Sequence, residues 1–108
     1  LDIADKAGVA LEAIVLDPGI GFGKTPEQSM IAIARLDALK TFSLPILVGA
    51  SRKRFINAII PTEPRERLPG SLAAHILSVE NGASIIRAHD VAETVQALRV
   101  HAAIRSAT

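Results

Sequence analysis

The chain contains no cysteine, tryptophan or tyrosine, and its aromatic content is 3%, all phenylalanine. Without cysteine there is no disulfide framework and no thiolate metal site. That suits a reducing compartment, and a cytoplasmic location is the expectation. Scarce aromatics argue against a protein that stacks nucleic-acid bases. Charge of one sign is also lacking: 12 basic residues face 11 acidic ones, a formal net charge of +1. No global field draws the chain to nucleic acid or a membrane surface, so neither is expected as a partner. No apolar run approaches the roughly 18 residues of a membrane span. No signal peptide is visible, but the start is uninformative: the chain begins with Leu1 rather than Met, so it is expected to start inside a longer protein.

What is present is a core-forming composition, 49% hydrophobic and 21% charged over 108 residues, enough for one domain or part of one. Residues 2–7 read as a helix end with Gly8 as a left-handed cap. Residues 13–16 are a short apolar run of buried-strand type. A glycine-rich loop occupies 18–24. Thr25, Pro26 and Gln28 then form a helix-start signal, a capping box with proline at the first helical position. Met30, Ile33, Ala34, Leu36 and Leu39 follow at helical spacing, to an end near 40–42. Residues 44–48 are a second strand, with Pro45 at its start where a missing donor is tolerated. A basic turn leads into a short helix over 51–60, and 61–69 is a proline-broken loop. Ser71 is the expected cap of a helix reaching Asn81, with Gly82 as its stop. Residues 84–86 are a third strand. Asp90 and Glu93 form a capping-box pattern, and Val91, Val95, Leu98 and Ala102 fall on one stripe of a last helix. Strands alternating with helices mean an α/β fold with a parallel sheet and right-handed crossovers. Three such units cannot close a barrel, which needs about 250 residues, so residues 1–108 are expected to be the C-terminal part of one larger domain.

Each strand ends abruptly in polar residues, and in parallel α/β proteins those ends line the active site. The loop 17–24, Asp-Pro-Gly-Ile-Gly-Phe-Gly-Lys, has the wrong spacing for a Walker loop or a dinucleotide fingerprint. Alternating glycines let backbone approach a flat ligand. A tight turn alone explains the glycines, but not Asp17, whose carboxylate suits a ligand edge with adjacent N–H donors. Gly49 removes a side chain at the second strand end. Beyond it, Lys53 is a donor for a heterocycle or leaving group and Ser51 a partner for a carboxylate. As a run, Arg52, Lys53 and Arg54 read equally well as a solvated basic turn. Arg87 and His89, two apart ahead of a helix start, make an anion site for phosphate or pyrophosphate. His75 and His101 read as structural or surface residues, Arg65 and Arg67 as loop-surface charges. No cluster has metal-ligand spacing.

Taken together, Asp17–Lys24, Gly49-Ala50-Ser51-Arg52-Lys53, Arg67-Leu68-Pro69-Gly70-Ser71 and Ile85-Ile86-Arg87-Ala88-His89-Asp90 resemble, in order, the motifs of bacterial dihydropteroate synthases across essentially the whole chain. The resemblance implies a (β/α)8 TIM barrel of which this chain is the last three βα units. It implies condensation of p-aminobenzoate with (7,8-dihydropterin-6-yl)methyl diphosphate to give 7,8-dihydropteroate and pyrophosphate, in folate biosynthesis. Asp17 would hold the amino-pyrimidinone edge of the pterin and Gly49 would lie against the ring. Lys53 would contact the pterin and wall the p-aminobenzoate pocket, Phe22 would pack on the benzoate ring, and Ser51 would sit near its carboxylate. Arg87 and His89 would bind the departing pyrophosphate, which with Lys53 makes them the catalytic candidates. The resemblance also implies Mg²⁺, with its ligand in the N-terminal part, and a homodimer formed through helices of this region. Ile20 replaces a frequent aromatic, and Pro69 a frequent Ser. Two other readings compete: a pterin-binding methyltransferase domain, which needs no pyrophosphate site, and a catalytically silent paralogue or fragment. The isolated chain is expected to be inactive and, with exposed apolar sheet edges, poorly folded.

Overall fold

In a computed structural model, which describes residues 7–8 and 14–107, short parallel strands alternate with helices. The order is α1 (Pro26–Ala34), a 3-10 turn (Leu36–Phe42), β1 (Leu47–Val48), α2 (Arg54–Ile59), a 3-10 turn (Pro64–Glu66), α3 (Leu68–Glu80), β2 (Ile85–Ile86) and α4 (Val91–Ser106). The expected helix over 2–7 and Ala13 lie outside the described residues. Gly8 has φ +77°, as a left-handed cap needs.

β1 and β2 pair in parallel, Leu47 opposite Ile85 and Val48 opposite Ile86. The first expected strand is reduced to one parallel bridge, Leu16 to Ile46. It is made by Leu16 N–H to the Pro45 carbonyl at 2.8 Å and Leu47 N–H to the Leu16 carbonyl at 2.7 Å. Pro45 thus supplies only its acceptor, which is why it is tolerated. The observed order, Leu16 segment, β1, β2, is that of consecutive parallel neighbours.

The Thr25 capping box is complete. Gln28 N–H donates to Thr25 Oγ1 at 3.1 Å, and Thr25 N–H to Gln28 Oε1 at 2.9 Å. The helix is shorter than its spacing predicts, ending at Ala34 and continuing as the tighter turn that buries Leu36. Ile20, Leu36, Ile46 and Val48 are fully buried, with Ile33, Ala50, Phe55 and Ile56 around them.

Two helix-cap expectations fail. α3 starts at Leu68 with Pro69 in its first turn, so Ser71 lies inside the helix rather than capping it. Asp90 does occupy the cap position of α4, but its carboxylate makes no cap bond and is turned to Arg52. The Thr94 side chain donates to the Asp90 carbonyl instead, at 2.7 Å. The apolar stripe of α4 is not covered: Val91 and Val95 are exposed and Leu98 half-buried, beside an open cleft of about 350 Å³ that also includes Val79 and Ile86. The stop after Asn81 holds. Gly82 N–H donates to the Val79 carbonyl and Ala83 N–H to the Ser78 carbonyl, the paired bonds of a Schellman end.

α3 and α4 are tied at both ends. His101 Nε2 lies 2.9 Å from Glu80 Oε1, a contact that lowers the Glu80 pKa. His75 is buried, with Nδ1 3.3 Å from Thr94 Oγ1 and Nε2 without a partner among the described residues, and burial lowers its pKa.

Candidate active site

The ends of β1 and β2 are stitched together residue by residue. Arg87 N–H donates to the Val48 carbonyl at 3.0 Å, extending the strand pairing by one residue. Beyond it, Gly49 leaves the space that the Arg87 guanidinium occupies: a Cβ on Gly49 would stand 2.5 Å from Arg87 Nη2. Next, the buried Ser51 hydroxyl meets His89 twice, through the His89 backbone N–H at 3.1 Å and Nδ1 at 2.8 Å. Then Arg52 and Asp90 form a two-point ion pair, Nη2 to Oδ1 at 2.8 Å and Nε to Oδ2 at 3.2 Å. This fork holds Asp90 below the usual carboxylate range and raises the Arg52 guanidinium.

Arg52 carries a second burden. Its φ is +55°, the left-handed region, which costs a residue with a side chain roughly 1–2 kcal/mol. The surroundings compensate at every backbone polar atom. Its N–H donates to Ser71 Oγ at 2.8 Å, and its carbonyl accepts from Arg67 Nη1 at 3.0 Å. The reversal at Arg52 lets Ser51 point down to His89 while Lys53 turns up over the loop 17–24. In that loop, Asp17 Oδ1 accepts from Gly19 N–H at 2.8 Å and Gly21 N–H donates to Ser29 Oγ at 3.1 Å. Gly21 has φ +83° and passes close under Lys53. Lys53 Nζ sits 4.5 Å from the Phe22 ring centroid, a cation–π contact.

Two clefts meet at Lys53. One, of about 300 Å³, is lined by Gly49, Ser51, Lys53, Arg87, Ala88 and His89. The other, of about 440 Å³, lies between Gly21, Lys24 and Ser29 on one side and Lys53, Arg54 and Asn57 on the other. The first is a small basin with cations and an imidazole at the rim, which suits a compact polyanion. The second carries Lys24, Lys53 and Arg54 beside the exposed Phe22 ring, which suits an aromatic ring bearing a negative group.

The comparison that decides the family matches residues 1–89 to proteins described as "Pterin binding enzyme". The chain belongs to this pterin-binding enzyme family. The curated dihydropteroate synthase of Escherichia coli (strain K12) is 48% identical over 103 residues, which is 95% of this chain and 36% of that protein. The chain therefore spans about a third of the length of the curated relatives it matches. Among solved structures, the dihydropteroate synthase of Yersinia pestis superposes with a TM-score of 0.92 at 42% identity, over 98% of this chain and 50% of that one. The dihydropteroate synthase of Xanthomonas albilineans, solved in complex with 7,8-dihydropteroate, gives a TM-score of 0.94 at 40% identity, over 99% of this chain and 41% of that one.

Of the residues singled out from the sequence, Gly49, Ser51, Lys53, Arg87 and His89 line one cleft, and Phe22 joins it through Lys53. Asp17 does not line it. Its side chain is exposed and faces a separate hollow of about 320 Å³ with Pro18 and Lys24. Nor is Ser51 free to meet a carboxylate, since its hydroxyl is engaged by His89. Two readings of charge are overturned. Arg52 is not part of a solvated run, being paired to Asp90. Arg67 is not a loop-surface charge: it is 8% exposed and donates to the Arg52 carbonyl, the Thr62 carbonyl at 2.9 Å and Thr62 Oγ1 at 3.2 Å. The Asp90 side chain and Ser71 were missed as parts of this network. Only spacing across 38 and 19 residues connects them to the 51–53 turn, and nothing local signals it.

The Gly49 clearance makes a test specific to this family member. In the full-length protein Gly49→Ala forces the far end of Arg87 aside, which a flexible tip does cheaply. Stability is expected to change by less than about 0.5 kcal/mol. Affinity of the basin for a compact polyanion, read by titration calorimetry with pyrophosphate as the probe, is expected to fall about ten-fold, because a shift of about 1 Å in a binding group is enough for that.

Proposed function

We propose that the full-length protein containing this chain is a dihydropteroate synthase. In this reading it joins p-aminobenzoate to (7,8-dihydropterin-6-yl)methyl diphosphate, yielding 7,8-dihydropteroate and pyrophosphate in folate biosynthesis. The observation that carries the proposal is the basin at the ends of β1 and β2, lined by Arg87, His89 and Lys53 together with Gly49. The 7,8-dihydropteroate complex of the Xanthomonas albilineans relative supports it. We take the chain to be the last three βα units, a C-terminal part of one (β/α)8 barrel domain, with the 14–16 segment as the frayed first strand.

In the reaction the methylene C–O bond breaks and a C–N bond to the arylamine forms, with loss of one amine proton. Negative charge gathers on the diphosphate as it leaves. Fixed cations aimed at that charge lower the barrier more than they bind the ground state. Arg87 offers a planar fork and His89 an N–H, while Lys53 reaches between the diphosphate basin and the larger cleft. The benzoate ring packs on Phe22, and its carboxylate meets Arg54 and Lys24, the cations of that cleft. Gly49 would lie against the pterin beside the Arg87 guanidinium that fills the space next to it. Asp17 accepts from Gly19 N–H and keeps further lone pairs for the amino-pyrimidinone edge, which its carboxylate would meet by turning out of the hollow it shares with Pro18 and Lys24. Among the described residues no three His, Asp or Glu side chains gather as a metal would need. As the family resemblance implies, the Mg²⁺ of the proposal would take its ligand from the N-terminal part of the protein. When bound it would help neutralise the diphosphate. Homodimerisation through helices of this region and a cytoplasmic location belong to the same proposal.

The test is p-aminobenzoate-dependent release of pyrophosphate by the full-length protein. Stoichiometric release with formation of 7,8-dihydropteroate is expected. Pterin binding without any release would sink the synthase reading in favour of a methyltransferase domain or a silent paralogue.

A further inference from the structure

We infer that Ser51 is a positioning residue that decides which nitrogen of His89 carries the proton, and so which N–H faces the cleft. The inference deepens the diphosphate site proposed above and rests on it. Ser51 Oγ is buried, and among the described residues its hydrogen-bond partners are both on His89. A serine hydroxyl has one hydrogen to give and two lone pairs to offer. The His89 backbone N–H takes one lone pair. The hydroxyl hydrogen then has one acceptor within reach, His89 Nδ1 at 2.8 Å.

Suppose instead that Nδ1 carried the proton. Nδ1–H and the backbone N–H would both point at Oγ, and the serine hydrogen would be buried with no acceptor. Leaving a buried polar hydrogen unpaired is costlier than any gain from the swap. With Nδ1 as acceptor every group is satisfied, and the proton of the neutral ring sits on Nε2. His89 is exposed as a residue and lines the basin with Lys53 and Arg87, so the ring edge beyond Nδ1 is the one presented to an incoming anion. A deprotonated Nε2 would face an anion with a lone pair and repel it. Ser51 thus makes His89 a donor toward the anion at neutral pH without requiring the ring to be charged. The two-point grip on main chain and ring also removes rotational freedom that binding would otherwise have to remove.

The experiment uses the full-length protein at about pH 8, above the ordinary histidine range. Nitrogen NMR of the histidine rings reads the tautomer directly in the wild type and needs no variant. Pyrophosphate titration by calorimetry is run beside it on wild type, Ser51→Ala, His89→Ala and the double variant. The expected tautomer for His89 is Nε2–H, with mixing of the two forms in Ser51→Ala. Each single variant is expected to weaken pyrophosphate binding about ten-fold. The double variant is expected to be less than about two-fold weaker than His89→Ala, because Ser51 acts through the ring. A wild-type ring protonated on Nδ1 overturns the inference. So does a multiplicative loss in the double variant, about a hundred-fold, or an effect of Ser51→Ala confined to p-aminobenzoate. If the tautomer and the non-additive losses hold but turnover releases no pyrophosphate, the synthase reading fails and the serine lock stands.

Discussion

Arg87→Ala in the full-length protein is expected to lower kcat/KM for pyrophosphate release by about 10²–10³-fold, the usual cost of removing one preorganised donor from developing negative charge. The guanidinium is set over Gly49, and its backbone is pinned to Val48 by the last sheet hydrogen bond. The side chain can therefore be removed without disturbing the strand that carries it. Arg87→Lys is expected to recover only part of the loss, since an ammonium lacks the planar fork that matches phosphate oxygens. Lys53→Ala, assayed alongside, is expected to lower activity with a larger effect on the p-aminobenzoate KM, because Lys53 lines both clefts and covers the Phe22 ring. Steady-state kinetics with each substrate varied in turn separates these effects. Unchanged turnover in Arg87→Ala would remove the anion site from the mechanism.

Arg67→Ala should give the largest loss of stability, about 3 kcal/mol, seen as a shift in the denaturant midpoint. Arg67 donates three hydrogen bonds from a buried position, two of them to main-chain carbonyls. One of those carbonyls belongs to Arg52, the residue held at φ +55°. Truncation orphans the carbonyls, opens a void beneath the 62–67 segment and leaves the strain at Arg52 without this compensating bond. Arg67→Lys keeps the charge but loses the fork, and is expected to rescue less than half of the loss. The effect should reach the site as well, because Ser51 and Lys53 flank the residue that Arg67 holds. A change within about 0.5 kcal/mol would show that the 51–53 turn keeps its shape without this arginine.

Some of this architecture is written in short stretches of the chain. Thr25, Pro26 and Gln28 declare a helix start because the bonds of a capping box span only three residues. Gly82 declares a helix end for the same reason. Strand identity was legible at Ile85 and Ile86, and at Leu47 and Val48, from apolar runs stopped by polar residues. Strand length was not, since pairing depends on partners distant in sequence, and the 14–16 segment pairs only at Leu16. The last helix shows the converse limit. Val91 and Val95 form a clear apolar stripe, yet the described residues leave them exposed. Periodicity reports which face wants burial, not what buries it.

For the site, the sequence by itself determined the residue types and their grouping at strand ends: the glycine loop, Gly49 to Lys53, and Arg87 with His89. Those are local facts of order and chemistry, and the family resemblance rests on them. Only the tertiary structure decided who holds whom. Ser51 turns to His89 rather than to a carboxylate, Arg52 to Asp90 rather than to solvent, and Arg67 inward rather than outward. The physical reason is that a buried polar group must find a partner, and parallel strands bring residues 38 apart to within hydrogen-bond reach. That pairing is set by the register of β1 against β2, which no single stretch of the sequence encodes.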